Sequence, residues 1–125
     1  MCYAFSMEQV VKLHDLGDLK VSLNQYYSGM HWTKRNKLKD KYVEWFSNFK
    51  SAFQPVKRQC EIQFDFYFTS HPLDPDNTVI MAKMITDCMV KSGILANDTR
   101  KYIGKVSYSS NKTKENNYVV VRIVD

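Results

Sequence analysis

Period-two alternation is clearest over residues 59–69, where Cys60, Ile62, Phe64, Phe66 and Phe68 alternate with Glu61, Gln63, Asp65 and Tyr67. Successive side chains of a strand point to opposite faces, so this stretch predicts a strand with one buried and one wetter face. A helical period follows. Met81, Met84, Ile85, Cys88 and Met89 recur at three- and four-residue steps, the stripe of a helix lying on a core, and Gly93 after Ser92 suits a left-handed C-terminal cap. Leu38, Tyr42, Trp45, Phe46, Phe49 and Phe53 do the same across residues 34–53, predicting a helix that Gln54-Pro55 ends. Residues 10–13 predict a strand, 14–18 with Gly17 a turn, 19–23 an extended segment, and 24–32 a loop rich in aromatic and polar groups. Residues 102–108 and 118–124 predict two more strands, joined by a polar hairpin tip over 109–117. The order predicts an α+β fold, a single domain over residues 1–125 with a mixed β-sheet and helices packed on it.

Composition narrows the class. A chain of 125 residues with 44% hydrophobic and 14% aromatic content can bury its own core, which excludes a disordered tail or a disulfide-stapled mini-domain. No apolar run approaches the roughly 18 residues of a membrane span, and residues 1–7 lack the plan of a signal peptide, so the expectation is a cytoplasmic protein without membrane partners. The three cysteines, Cys2, Cys60 and Cys88, show no paired spacing; buried or incidental thiols are expected rather than disulfides or a zinc site.

The net charge of +5 is unevenly spread. Between His31 and Arg58 stand eight bases, among them Lys34, Arg35 and Lys37, against only Asp40 and Glu44. Such a stretch is either a solvated lysine-rich helix face or a surface for a polyanion. Just before it, Asn24, Tyr26, Tyr27, His31 and Trp32 offer rings and donors that suit bases, sugars and phosphates, or that pack a loop onto its own sheet. Lys112 and Lys114 add two bases that can touch a nucleic-acid backbone or simply solvate a tip.

Acids gather elsewhere. Leu73-Asp74-Pro75-Asp76-Asn77 places two carboxylates where the long strand hands over to a helix, and Asp98 follows beyond that helix. On a helical wheel started at Asp76, Lys83 falls at about 340° and Asp87 at about 20°, opposite an apolar stripe at about 80–220°. Helical side chains lean toward the N-terminus, which aims the Lys83 ammonium back at Asp74 and Asp76, while Asp87 one turn beyond is placed to hold the lysine as an i,i+4 pair. Asp-Pro-Asp-Asn is also ordinary capping chemistry, although one cap needs one residue and this segment offers three. Clustered carboxylates without His or Cys partners suit Mg²⁺, with Mn²⁺ as a substitute.

These residues carry a resemblance. The Asp74-Pro75-Asp76-Asn77 segment, the helix with Lys83 and Asp87, and Gly93-Ile94-Leu95-Ala96-Asn97-Asp98 resemble the signature of RusA-type crossover-junction endodeoxyribonucleases. Ser22-Leu23-Asn24-Gln25-Tyr26-Tyr27 is similar to that family's N-terminal Asn-Tyr-Tyr region, and the likeness runs over residues 20–125. Two departures stand out: the interval from Asp76 to Lys83 is longer by about one helical turn, and the family's acid pair is here Asn97-Asp98. The resemblance implies a RusA-like fold and a homodimer, phage- or prophage-encoded, in a bacterial or infected cell. It also implies Mg²⁺-dependent hydrolysis of DNA by paired nicks across four-way (Holliday) junctions, in recombination and repair. It makes Asp74, Asp76 and Asp98 metal ligands and catalytic acids, and Lys83 a catalytic lysine. Read from the residues alone, another metal-dependent DNase and a nucleic-acid-binding module without catalysis remain alternatives.

Overall fold

The computed structural model describes residues 7–125. Its organising element is the strand β2, Cys60–Phe68, in which every second residue from Cys60 to Phe68 is buried. β2 lies inside a four-stranded sheet of order β1-β4-β2-β3. The other strands are β1 (Glu8–Leu13), β3 (Ile103–Lys112) and β4 (Tyr118–Val124). β2 runs parallel to β3 and antiparallel to β4, and β1 closes the other edge antiparallel to β4. Three helices complete the fold: α1 (Leu23–Ser28), α2 (Trp32–Phe46) and α3 (Val79–Lys91), the last being the crossover between the parallel strands.

The core forms where the inner faces meet. Ile62, Phe64, Phe66 and Phe68 of β2 and Val119, Val121 and Ile123 of β4 are buried with Tyr42 and Phe46 of α2 and Met81, Ile85 and Met89 of α3. The phenylalanines form a ladder, with ring centroids 6.2 Å apart from Phe64 to Phe66 and again from Phe66 to Phe68. Gln63, Asp65 and Tyr67 on the opposite face are only half-buried, so the helices cover one side of the sheet. The expected α+β architecture, mixed sheet and helix stripes are those observed.

Four local expectations change. Residues 19–23 are not a strand. Leu19 closes a 3-10 turn from Gly17, and Ser22 then opens α1 inside what the sequence presents as a loop. The cause is a capping box. Ser22 Oγ accepts the Gln25 N–H at 3.0 Å, while the Gln25 side chain accepts the Ser22 N–H at 2.9 Å. Ser22→Ala should lower stability by about 1 kcal/mol, read as a modest fall in melting temperature; an unchanged melt would mean the box does not hold this helix.

The expected helix over 34–53 also breaks early, at Phe46. Asn48 Nδ2 and Ser47 Oγ donate back to the Trp45 and Glu44 carbonyls, a competition with the backbone that tightens the turn into a separate 3-10 segment, Lys50–Ala52. The apolar stripe survives because Phe49 and Phe53 still reach the core.

The hairpin is the largest correction. β3 and β4 are not neighbours, since β2 lies between them. Ser109 and Asn111 belong to β3, and the link that follows crosses the end of β2. There the Thr113 N–H donates to the Phe68 carbonyl and Asn117 Oδ1 accepts the Thr69 N–H.

Among the described residues no helix is long and apolar enough to cross a membrane. Cys60 and Cys88 are buried free thiols as expected, and burial pushes each up to about 11, which keeps them protonated and inert at neutral pH. Cys2, expected to be incidental, lies outside the described residues.

Candidate functional site

β2 delivers the chain to the acidic segment at the sheet's end, as its alternation implied. The intervening loop is strapped down. Lys20 Nζ donates to the Ser70 carbonyl at 2.9 Å and the His71 carbonyl at 2.8 Å, and stands 4.9 Å from the Phe68 ring centroid. His71 takes a left-handed conformation, φ 48°, at this bend. Nothing in the sequence singled out Lys20; its partners are carbonyls some fifty residues away.

Asp74 then stands at the N-cap of a 3-10 turn, Pro75–Thr78, that leads into α3. Its backbone does the capping. The Asn77 N–H donates to the Asp74 carbonyl at 2.9 Å and Thr78 Oγ1 donates to the Pro75 carbonyl at 2.6 Å, while the Asp74 side chain makes no cap hydrogen bond. Asp74 and Asp76 are both exposed, and neither carboxylate makes a hydrogen bond or ion pair among the described residues. The reading in which the aspartates serve only as caps is therefore overturned here. Two hard, unspent carboxylates one residue apart fit a Mg²⁺ ion, which takes one or two carboxylates and fills its remaining positions with water and substrate phosphate.

The other two expected members stand elsewhere. Lys83 Nζ lies 3.7 Å from Asp87 Oδ1, longer than a hydrogen bond, with both side chains about half exposed. The ammonium is thus turned toward Asp87, one turn further along α3, and not back toward Asp74 and Asp76. The pair contributes only about 0.3–0.5 kcal/mol.

Asp98 is exposed on the return loop. That loop is fixed to the start of β2, where the Cys60 N–H donates to the Tyr102 carbonyl, Gln59 Nε2 donates to the Arg100 carbonyl, and the Val56 N–H donates to the Ile94 carbonyl. Asp98 lines a groove with Asp87 and Lys91. Asp74 and Asp76 follow the opposite end of β2, a separation on the order of 20 Å for a helix of this length at 1.5 Å per residue. Among the described residues, no three His, Cys, Asp or Glu gather as a metal-holding group. In one copy Asp74 and Asp76 share one short turn at one end of β2, and Asp98 stands at the other end.

The expected DNA-contacting residues divide as well. Asn24, His31, Lys34 and Lys37 are exposed on α1, at the start of α2 and along it. His31 has a structural task that the sequence reading missed: its Nδ1 accepts the Thr33 N–H at 3.3 Å as the N-cap of α2. Tyr26 is buried, whereas Tyr27 and Trp32 are 59% and 64% exposed. Arg35 lies across both tyrosines, its guanidinium 5.0 Å from the Tyr26 ring centroid and 5.5 Å from that of Tyr27, and its Nη2 donates to the Tyr27 carbonyl at 3.2 Å. Tyr27, Trp32 and Arg35 line one groove with Lys83 and Asp87 of α3. The aromatic segment and the helical lysine, far apart in sequence, are thereby brought to one surface.

Lys112 ends β3 opposite Phe68, and Lys114 follows in the link across the sheet end, both exposed. They stand at the acids' end of the sheet. Compared with models of known families and with curated proteins, the chain matches none.

Proposed function

We propose that the chain is a Mg²⁺-dependent endodeoxyribonuclease of branched DNA, acting as a two-fold dimer on four-way junctions, in the manner of the RusA-type resolvases its acidic segment resembles. The observation that carries this reading is the pair Asp74 and Asp76: two exposed carboxylates at the end of an interior strand, free of every structural duty. Two carboxylates on one short turn with no partner of their own are hard oxygen ligands available to a cation. Lys112 and Lys114 at the same end, and the basic face of α2, suit the phosphates of a substrate.

When bound there, Mg²⁺ supplies Lewis-acid polarisation of the scissile phosphate and a more acidic bound water. The chain's own groups do the rest. Asp74 and Asp76 fix the position of the cleavage point, while exposed lysines hold the flanking phosphates. Lys20 keeps the loop before Asp74 in one conformation.

Asp98 enters through the dimer. Because Asp98 stands apart from the pair within one copy, a composite site takes the Asp98 of a second copy, and a two-fold dimer then offers two equivalent sites to a two-fold substrate. Mixing inactive variants tests this. Asp76→Asn and Asp98→Asn homodimers should each fail to nick a labelled four-way junction, and the re-annealed mixture should regain nicks at one site per dimer. A mixture as inactive as its parents would mean that Asp98 is not shared between copies.

The separation of Asp98 from the pair within one copy favours one competing reading, a branched-DNA-binding module without catalysis. Incubation of four-way, flap and linear duplex DNA with Mg²⁺ or chelator separates them. Paired symmetric cuts confined to the junction and to Mg²⁺ are expected. Cuts on all three substrates would indicate a general metal-dependent DNase, and equal binding without cuts the module.

A further inference from the structure

The groove between α1, α2 and α3 is separate from the acidic segment, and its chemistry is specific. One wall is aromatic, made by Tyr27 and Trp32, whose rings stay largely in solvent. The floor is apolar, formed by Ile80 and Met84 of α3. Cations surround it: Arg35, Lys39 and Lys83, against the single acid Asp87.

Arg35 is held there by the two tyrosine faces and by its Nη2 hydrogen bond to the Tyr27 carbonyl, which fixes its charge at the groove wall. The cleft of about 340 Å³ has the size of a small-molecule site and is far too small for a duplex.

We infer that this groove receives one unpaired nucleotide of a DNA strand, its base stacked on Tyr27 or Trp32 and its phosphate held by Lys39 and Lys83, with the Arg35 guanidinium adding positive charge beside it. Stacked aromatic walls accept any base face, whereas paired bases in a duplex hide theirs. Solvated lysines alone would not require exposed rings beside them, and exposed rings alone would not require three bases around them. The inference rests on the nucleic-acid reading above and gives it a reason to prefer branch points, where pairing is interrupted.

Trp32 supplies the probe. In chelator, a short oligothymidylate should quench the Trp32 emission, and the same backbone carrying abasic residues should bind about tenfold more weakly, the scale of one base stacked on an aromatic ring. Tyr27→Ala and Trp32→Ala alter exposed rings and should leave the thermal melt in place; the Tyr27→Ala and Trp32→Ala double variant, its binding read from the anisotropy of dye-labelled strands, should lose the distinction between the base-bearing and abasic strands. Tyr27→Phe should retain it.

Equal affinity for the two strands, or a double variant that binds as the parent does, would overturn the groove as a nucleotide site. Binding by base without cleavage of any DNA would uphold the groove and remove the nuclease reading. Junction cleavage with no base-dependent binding would do the reverse.

Discussion

Asp76→Asn is expected to abolish Mg²⁺-dependent nicking while leaving junction binding intact. The substitution preserves shape and removes one negative charge. Asp76 is exposed and makes no hydrogen bond or ion pair among the described residues, so folding stability should move by no more than about 0.5 kcal/mol. Binding should persist because affinity for DNA is carried by phosphate contacts with bases such as Lys34, Lys37, Lys112 and Lys114. Nicking should fall by at least about 100-fold, the scale on which loss of one group that stabilises developing charge is felt. Single-turnover nicking of a labelled four-way junction, beside a gel shift in chelator, separates the two quantities. A variant that binds and nicks as the parent does would remove Asp76 from the site and leave the acidic segment without a role.

Features set by local geometry are legible in the sequence, and features set by long-range pairing are not. Alternation in β2 fixed which face is buried, because side-chain direction in a strand depends on nothing beyond the strand. The stripe of α3 was legible for the same reason. Strand neighbours were not, since pairing is a long-range choice that polar residues such as Ser109 and Asn111 do not announce.

The same long-range choice decides where Asp98 lies. A hairpin of the last two strands leaves the return loop without a fixed place. Once β3 is known to run parallel to β2, α3 must travel back along the sheet, and residues before and after it must lie at opposite ends. Lys83 is legible in part: the i,i+4 spacing to Asp87 predicts the pair that is observed, and that pair outweighs the general lean toward Asp74 and Asp76. The capping box at Ser22 and Gln25 was the signal left unused, a serine followed three residues later by glutamine immediately before a short helix.

Phe66→Ala should have the opposite signature to Asp76→Asn. Phe66 is fully buried at the middle of β2, between the rings of Phe64 and Phe68 at interplanar angles of 14° and 3°. Its strand is interior, bonded to β3 on one side and β4 on the other, so neither sheet edge can move in to fill the space. Truncation therefore leaves a cavity, and the cost should be about 3–5 kcal/mol. That is a large part of the roughly 5–15 kcal/mol that keeps a domain folded, and should lower the melting temperature by more than about 10 °C. Phe66→Leu, which keeps most of the volume, should cost visibly less. The acidic segment begins only a short loop beyond this strand, but the Lys20 strap and the turn at Pro75 hold it locally. Well below the melt, Phe66→Ala should consequently nick at close to the parent rate per folded molecule, losing activity only as it unfolds. A melt within a degree or two of the parent would show that the inner face of β2 is not the core it is taken to be. A folded but inactive Phe66→Ala would show instead that the packing of β2 sets the geometry of Asp74 and Asp76 directly.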